Sequence, residues 1–126
     1  MPVTTNKPLG IAFFGAGDVS DHHAAGVKRC TDTQLIGLWN RTAETGRRKA
    51  ETFDCQTYDS PASLLADPAV DAVCVLTNLE THLEYVLMAL EAGKHVLVEK
   101  PVGVTIAEIE QMKRLANQKG LVCMPG

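Results

Sequence analysis

The sequence predicts an α/β fold, a doubly wound parallel sheet of about six strands with helices on both faces. Short apolar runs alternate with helix-like stretches along the whole chain, which is the order that produces parallel strands joined by helical crossovers. Several runs, such as AVCVL at 72–76, are continuously apolar, as expected for strands buried on both faces. The length of 126 residues fits one domain of this kind.

The predicted elements follow one another in a regular order. Strands are expected at 9–14, 34–39, 56–58, 72–76, 95–98 and 121–124, and the first helix ends near residue 28. Ser60 is predicted to cap a helix that has Pro61 at its first position. Thr105 and Glu108 have the spacing of a capping box at the start of another helix.

Two helices are predicted from apolar side chains at helical spacing. The first group consists of Leu79, Leu83, Val86, Leu87 and Leu90. The second consists of Ile106, Ile109, Met112 and Leu115. Both groups are expected to pack against the sheet, because an amphipathic helix buries its apolar face.

The composition excludes several classes of protein. A net charge of −3 without a basic block argues against nucleic-acid binding. The apolar runs are far shorter than the ~20 residues that span a bilayer, and the N-terminus has no apolar signal core. The four cysteines form no CxxC pair, which argues against a zinc ribbon or a redox motif, and no metal site is expected. We expect a reduced, cytoplasmic protein.

A glycine-rich loop follows the first predicted strand. Residues 15–20 read GAGDVS, the pattern G-x-G-x-x-G with Ser20 in the third position. The first glycine permits a tight turn, the second lets a pyrophosphate approach the backbone, and the small third residue allows close helix–strand packing. Between a strand and a helix, this pattern indicates a dinucleotide-binding Rossmann fold. Gly15, Gly17, Asp18 and Val19 are therefore predicted to bind the cofactor phosphates, together with the helix N-terminus.

The end of the second strand bears on the choice of cofactor. An acidic residue there would bind the ribose hydroxyls and repel a 2′-phosphate, but this chain has Asn40 followed by Arg41. Arg41 supplies a cation with forked donors for a phosphate, or a flat face for adenine. The sequence therefore predicts NADP or NAD as the cofactor, with NADP favoured. The other interpretation of Arg41 is a solvated helix face, which we prefer for Arg47 and Arg48.

Two further strand ends are expected at the same edge of the sheet. Thr77 and Asn78 follow one buried strand, and EKP at 99–101 follows the next. A Glu–Lys pair at such a position either faces a cleft or forms an exposed ion pair of little energetic value, and the pattern leaves both open. By pattern alone, His82 is a packed or surface histidine.

The chain resembles a known family at three segments. GIAFFGAGDVSDHH, DAVCVLTNLETH and GKHVLVEKPVGVT are similar to the nucleotide-binding half of the Gfo/Idh/MocA oxidoreductases, and the resemblance covers essentially all of the chain. Members use NAD(P) to oxidise or reduce sugars, cyclitols and related polyols. The chain departs from the family where members usually have Thr-Pro-Asn, since it has Thr77, Asn78 and Leu79.

The resemblance also implies roles for individual residues. Lys100 would be the active-site lysine, Glu99 would lie beside the nicotinamide ribose, and the Lys100–Pro101 peptide would be cis. Thr77 would line the cofactor cleft. The remaining predicted cofactor-binding residues are Asn78, His82 and Pro101, and His23 matches a further histidine of the family pattern.

Three hypotheses follow for the function. The first is that residues 1–126 form the dinucleotide-binding domain of a dehydrogenase acting on a small polar substrate, with the family's substrate domain and oligomer interface absent from the chain. The second is a stand-alone, non-catalytic dinucleotide-binding or sensing module. The third is a Rossmann domain for another nucleotide, such as a CoA-type or adenosyl ligand, which the EKP motif disfavours.

Overall fold

A computed structural model describes residues 7–126, which form one parallel sheet of six strands in the order β3-β2-β1-β4-β5-β6. The strands are β1 (Leu9–Phe14), β2 (Thr33–Trp39), β3 (Gln56–Thr57), β4 (Ala72–Val75), β5 (His95–Val98) and β6 (Cys123–Pro125). The helices are α1 (Val19–Arg29), α2 (Ala43–Phe53), α3 (Pro61–Ala66), α4 (His82–Glu91) and α5 (Ile106–Lys119). This order confirms the predicted doubly wound sheet. The predicted lack of a signal core rests partly on residues 1–6, which lie outside the described residues.

The sheet is buried on both faces, and its side chains alternate between two cores. On β1, Ile11 and Phe13 pack with α1 and α2, whereas Ala12 and Phe14 pack with α3, α4 and α5. Phe13 and Phe14 are both fully buried. The continuously apolar runs arise for this reason, since successive residues of a strand point to opposite faces and both faces are covered.

Two of the predicted helix caps form, one of them in altered geometry. The Ser60 hydroxyl accepts from the Ser63 N–H at 3.1 Å, and the Ser63 hydroxyl accepts from the Ser60 N–H at 3.2 Å. Thr105 Oγ1 accepts from the Glu108 N–H at 3.2 Å. The Glu108 carboxylate, however, accepts from the N–H of Val104 instead of Thr105, so only half of the predicted capping box is present.

The apolar patterns locate the buried centres of the last two long helices but not their first turns. A single turn of 3-10 helix over Leu79–Thr81 precedes α4. In α5, Met112 is buried, but Ile106 is 78% exposed and Ile109 is 41% exposed, contrary to the prediction. Ile109 borders an apolar hollow of about 280 Å³ between α5 and the ends of β5 and β6, so residues 7–126 cover this side of the helix only in part.

The cysteines are all free thiols. Burial raises the pKa of Cys74 from 9.0 to about 12, with a smaller contribution from the Glu99 carboxylate. Burial likewise raises the pKa of Cys55 from 9.0 to about 11. Within residues 7–126, no helix has both the length and the apolar character needed to cross a membrane.

Candidate functional site

A cleft of about 210 Å³ lies at the carboxyl ends of β1, β2 and β4. It is located where the sheet order changes direction, since β1 has β2 on one side and β4 on the other. Open α/β sheets bind ligands at this position. The cleft brings together six of the predicted cofactor-binding residues, namely Gly15, Gly17, Asn40, Arg41, Thr77 and Asn78.

Gly15 forms the floor of this cleft and requires glycine for two reasons. Its φ of +101° lies in a region that other residues rarely adopt. A Cβ atom at this position would also lie 2.9 Å from the carbonyl carbon of Leu76, at the end of β4. The Gly15 N–H donates to the Trp39 carbonyl at 2.8 Å, so the loop is fixed to β2 as well.

The loop after Gly15 has the features required by an anionic ligand. Apart from Gly17 and its two chain neighbours, no atom of residues 7–126 lies within 4 Å of the position where a Cβ on Gly17 would stand. Asp18 makes no side-chain cap on α1, and the backbone N–H groups of Gly17, Asp18 and Val19 have no acceptor within residues 7–126. Open amides at the N-terminus of a helix attract phosphate groups. The backbone therefore fits a pyrophosphate, as the glycine pattern predicts.

Ser20, at the third position of the glycine pattern, is completely buried. Its hydroxyl donates to the Gly17 carbonyl at 2.6 Å. A serine at this position therefore packs beneath the loop and also closes the turn with a hydrogen bond, which the small third glycine of the usual pattern cannot do.

Asn40 connects the two walls of the cleft. Its carboxamide oxygen accepts from the Ala16 N–H at 3.0 Å, and its carboxamide nitrogen donates to the Thr42 carbonyl at 2.9 Å. Arg41 is exposed at the mouth of the cleft and forms no ion pair within the described part of the chain. Arg47 and Arg48 are exposed on α2, as predicted, and Arg47 pairs with Glu44 on the same helix.

Two aromatic residues that were not predicted from the sequence also line the cleft. Trp39 and Tyr85 have ring centroids 5.6 Å apart, and both pack against Phe14 beneath them. Burial, with a contribution from Glu84, raises the pKa of the Tyr85 hydroxyl, although Arg41 acts in the opposite direction. The available signal was weak, because Trp39 and Tyr85 are far apart in the chain and Trp39 also ends an apolar run that predicts a strand.

His82 lies beneath the cleft wall, at 2% exposure. Its Nε2 atom is 2.9 Å from the Thr77 carbonyl oxygen, and its Nδ1 atom is 2.9 Å from the Pro101 carbonyl oxygen. Thr77 is held further by its hydroxyl, which accepts from the Thr81 hydroxyl at 2.7 Å. Both ring nitrogens of His82 therefore face the protein backbone.

The Glu99, Lys100 and Pro101 segment follows β5, and its Lys100–Pro101 peptide is cis, as the resemblance implies. Glu99 Oε2 lies 2.8 Å from His23 Nε2 on α1. The Lys100 side chain is exposed and has no hydrogen bond or ion pair within residues 7–126. Glu99 therefore does not pair with Lys100. The described residues contain no cluster of three metal-ligating side chains.

The strand order, the glycine loop and the open amides of α1 define a dinucleotide-binding domain of the Rossmann class. Residues 9–126 match the family model described as "Oxidoreductase family, NAD-binding Rossmann fold". The chain belongs to the Gfo/Idh/MocA oxidoreductase family.

Relatives and solved structures agree with this assignment. The 1,5-anhydro-D-fructose reductase of Ensifer adhaerens is 36% identical over 110 residues, which are 86% of this chain and 33% of that protein. GenD2 from gentamicin A biosynthesis, solved with NAD, has a TM-score of 0.92 at 27% identity over 100% of this chain and 37% of its own. KijD10, a 3-ketoreductase from Actinomadura kijaniata solved with NADP and TDP-benzene, has a TM-score of 0.91 at 27% identity over 95% and 37%.

The chain spans about a third of the length of the curated relatives that it matches. In every one of these matches, the aligned region includes most of this chain, at 86% to 94% of its length. Homologous domains bind NAD in one solved structure and NADP in another.

Proposed function

We propose that this chain binds a nicotinamide dinucleotide as the cofactor domain of an oxidoreductase that acts on a sugar, cyclitol or related polyol or carbonyl compound. The observation that carries the proposal is the open space beside Gly17, bordered by three backbone N–H groups that have no acceptor among residues 7–126. The family and the reductase and dehydrogenase names of its relatives support the reaction class. The bound cofactor supplies the hydride chemistry, at C4 of its nicotinamide ring.

The experiment that tests cofactor binding is a titration of the chain with NADPH and NADH, followed by nicotinamide fluorescence. We expect saturable binding, and we expect Gly17→Ala to weaken it strongly because a Cβ fills the space that the phosphates need. Gly26→Ala, on an open position of α1, is the matched control. No binding of either dinucleotide at millimolar concentration would contradict the proposal.

We propose further that NADPH binds more tightly than NADH. Arg41 has no ion-pair partner in the described residues, and so its guanidinium is available for a 2′-phosphate. The Asn40 carboxamide carries no charge, and its oxygen is already occupied by the Ala16 N–H. Many Rossmann domains have an acidic residue here, which binds the ribose hydroxyls and repels a 2′-phosphate. This chain has the neutral Asn40 instead, which connects the cleft walls.

Two substitutions test this preference. Arg41→Ala should weaken NADPH binding about tenfold, the value of one charge-assisted hydrogen bond, with little effect on NADH. Arg48 is also exposed but lies on α2, outside the cleft, and so Arg48→Ala should change neither affinity. Asn40→Asp should selectively weaken NADPH binding, because the carboxylate still accepts from Ala16 but adds negative charge beside the 2′-phosphate. Equal losses for both dinucleotides would reject the preference.

Lys100 is proposed as the active-site residue that contacts the reacting oxygen of the substrate. An exposed ammonium that has no partner in the described part of the chain can donate a hydrogen bond to that oxygen, stabilise its developing negative charge, or transfer a proton. Glu99 is proposed to lie beside the nicotinamide ribose. Thr77 and Asn78 line the cleft beside the glycine loop, and Pro101 is proposed to fix the backbone that follows Lys100.

The position of Lys100 near the nicotinamide can be tested in this chain without a substrate. Oxidised NADP⁺ carries a positive nicotinamide, which a nearby ammonium repels. Lys100→Met should therefore improve NADP⁺ binding relative to NADPH by several-fold, whereas Lys113→Met on α5 should leave the ratio unchanged. An unchanged ratio in the Lys100 variant would reject its placement and favour the non-catalytic binding module.

The cellular setting is also a proposal. All four cysteines are free, and two of them have thiols whose pKa is raised to about 11 or 12 by burial. Thiols that stay protonated and unpaired are typical of a reducing compartment, and we propose a cytoplasmic protein. Mass measurement of the protein isolated under alkylating conditions tests this, since any disulfide would contradict it.

A further inference from the structure

We infer that His23 and His82 are positioning residues that hold the segment of Glu99, Lys100 and Pro101 from opposite faces of the sheet. We call these two histidines the histidine clamp. The inference rests on the proposed function, because it concerns how Lys100 is kept in place beside the nicotinamide half of the cofactor. Neither histidine needs to touch the cofactor for this role.

The first half of the clamp reaches the segment through a side chain. His23 lies on α1, which packs on the face of the sheet that contains Phe13. Its Nε2 atom is 2.8 Å from Glu99 Oε2, and the two side chains are 21% and 22% exposed. The Glu99 N–H donates to the Val75 carbonyl at 3.1 Å, so both the backbone and the carboxylate of Glu99 are fixed. A partly buried bond to a carboxylate is stronger than a bond between neutral groups.

The second half reaches the segment through the backbone. His82 begins α4, which packs on the other face of the sheet. Its two ring nitrogens each lie 2.9 Å from a carbonyl oxygen, one on Pro101 and the other on Thr77. A carbonyl oxygen only accepts and one imidazole tautomer carries a single N–H, so the ring donates to one of these two oxygens and lies in contact with the other. The imidazole therefore joins the end of β4 to the segment that follows β5.

Lys100 stands between these two fixed points, and its own side chain is exposed. The residue before it is held by a carboxylate contact and the residue after it by a carbonyl contact. This arrangement orders the backbone of a lysine without engaging its ammonium. Where geometry determines the reaction rate, supporting residues are expected to fix the backbone of a reactive residue and to leave its reactive group unbound.

The clamp predicts that the two halves of the cofactor respond differently to substitution. His23→Leu and His82→Leu should each weaken NADPH binding about tenfold, because a segment released from one of its contacts must be ordered again when the nicotinamide half binds. Binding of adenosine 2′,5′-bisphosphate, which lacks the nicotinamide half, should not change. Gln at either position keeps an N–H donor and should recover most of the affinity. His22→Leu, at the adjacent exposed position of α1, is the matched control.

The outcomes separate positioning from mere stability. If the leucine variants lose affinity for NADPH and for the bisphosphate equally, the histidines only support the fold and the inference is overturned. Unchanged NADPH affinity in both variants overturns it as well. His23 is partly exposed, so its variant carries the test if His82→Leu does not fold.

A second measurement does not depend on any cofactor. Backbone ¹⁵N relaxation should give order parameters of about 0.85 for Glu99, Lys100 and Val102 in the unsubstituted chain, and clearly lower values in the leucine variants. The Gly17 and Asn40 amides serve as internal references and should stay unchanged. A segment that stays equally rigid without either histidine overturns the clamp. If the unsubstituted chain binds neither dinucleotide, the proposed function fails, while this measurement still decides the clamp.

Discussion

Gly15 and Gly17 are two residues apart, yet their surroundings differ completely. Gly15 has a positive φ and lies against the backbone of Leu76, whereas Gly17 faces open space. The first glycine is therefore required by the fold itself, and the second is required by the ligand. Asn40 adds a third kind of constraint at this scale, since its carboxamide connects the glycine loop to the turn after β2.

A series of glycine substitutions separates these roles. Gly15→Ala should lower the free energy of unfolding by about 1–3 kcal/mol, because alanine is strained at positive φ and its Cβ meets Leu76. Gly17→Ala should leave stability nearly unchanged and reduce only dinucleotide binding. Gly26→Ala should raise stability by about 0.5–1 kcal/mol, since alanine is the better residue within a helix. Urea denaturation and NADPH titration of the three variants check this series, and a stable Gly15→Ala chain would contradict it.

The glycine loop was predictable because its residues are local in sequence and lie between a strand and a helix. The partners of Asn40 and His82 were not, because each hydrogen bond joins segments that are distant in the chain. The sequence pattern did favour a packed or surface position for His82, but it contains nothing to indicate that two backbone carbonyls face its ring. The involvement of Trp39 and Tyr85 in the cleft depends equally on contacts between elements.

At the scale of elements, the position at which a helix begins helps to place the site residues next to it. The Thr105 cap begins α5 four residues after Pro101, and so it fixes where the chain turns after the Lys100 segment.

The strongly periodic helices and the apolar strands were predicted with small errors at their ends. β3 is the weakest element, since it has two residues, Gln56 and Thr57, both exposed. Its pairing depends on β2, which no local pattern at 56–58 describes.

Thr105→Ala should lower the free energy of unfolding by about 1 kcal/mol, because the Glu108 N–H at the start of α5 loses its acceptor. Thr105→Ser keeps the hydroxyl and should retain most of the stability. Thr52→Ala serves as a control, since that hydroxyl donates within α2 to the Arg48 carbonyl and caps no helix. Chemical denaturation compares the three variants. Equal losses for Thr105→Ala and Thr52→Ala would show that the cap contributes nothing specific.

At the scale of the whole molecule, the sheet separates two cores that contain different ionisable groups. Cys74 lies in the core shared with α1 and α2, against the same face as the His23–Glu99 contact.

The fold class was predictable at this scale because six apolar runs and their helices repeat one βα unit. The apolar hollow beside α5 was not predictable, because periodicity describes one face of a helix and not what covers it.

The buried thiols predict how stability responds to alkaline pH. Folding raises the pKa of Cys74 from 9.0 to about 12 and that of Cys55 from 9.0 to about 11. Above about pH 9 the unfolded chain therefore binds fewer protons than the folded chain, and the free energy of unfolding falls as the pH rises. Stability should be unaffected by these thiols below that pH.

Denaturation at several values between about pH 8 and about pH 10 checks this dependence. Cys74→Ala should make the decline shallower, because one of the groups that ionises only in the unfolded chain is removed. Cys30→Ala is the matched control, since its thiol is exposed in the folded chain as well. A slope that is the same in the Cys74 variant as in the unsubstituted chain would contradict the prediction.

The central place of β1 in the sheet has a consequence for the order of folding. β1 pairs with β2 on one side and with β4 on the other, and the pairing with β4 joins Ile11 to Ala72, so this partner is synthesised much later than β1. At a synthesis rate of ~5–20 residues per second, β1 waits on the order of ten seconds for that partner. Until β4 arrives, one edge of an apolar strand is unpaired and Gly15 has no Leu76 beside it. The residues of the glycine loop are therefore synthesised before the cleft can be complete, and the docking of β4 both completes the cleft and pairs the second edge of β1.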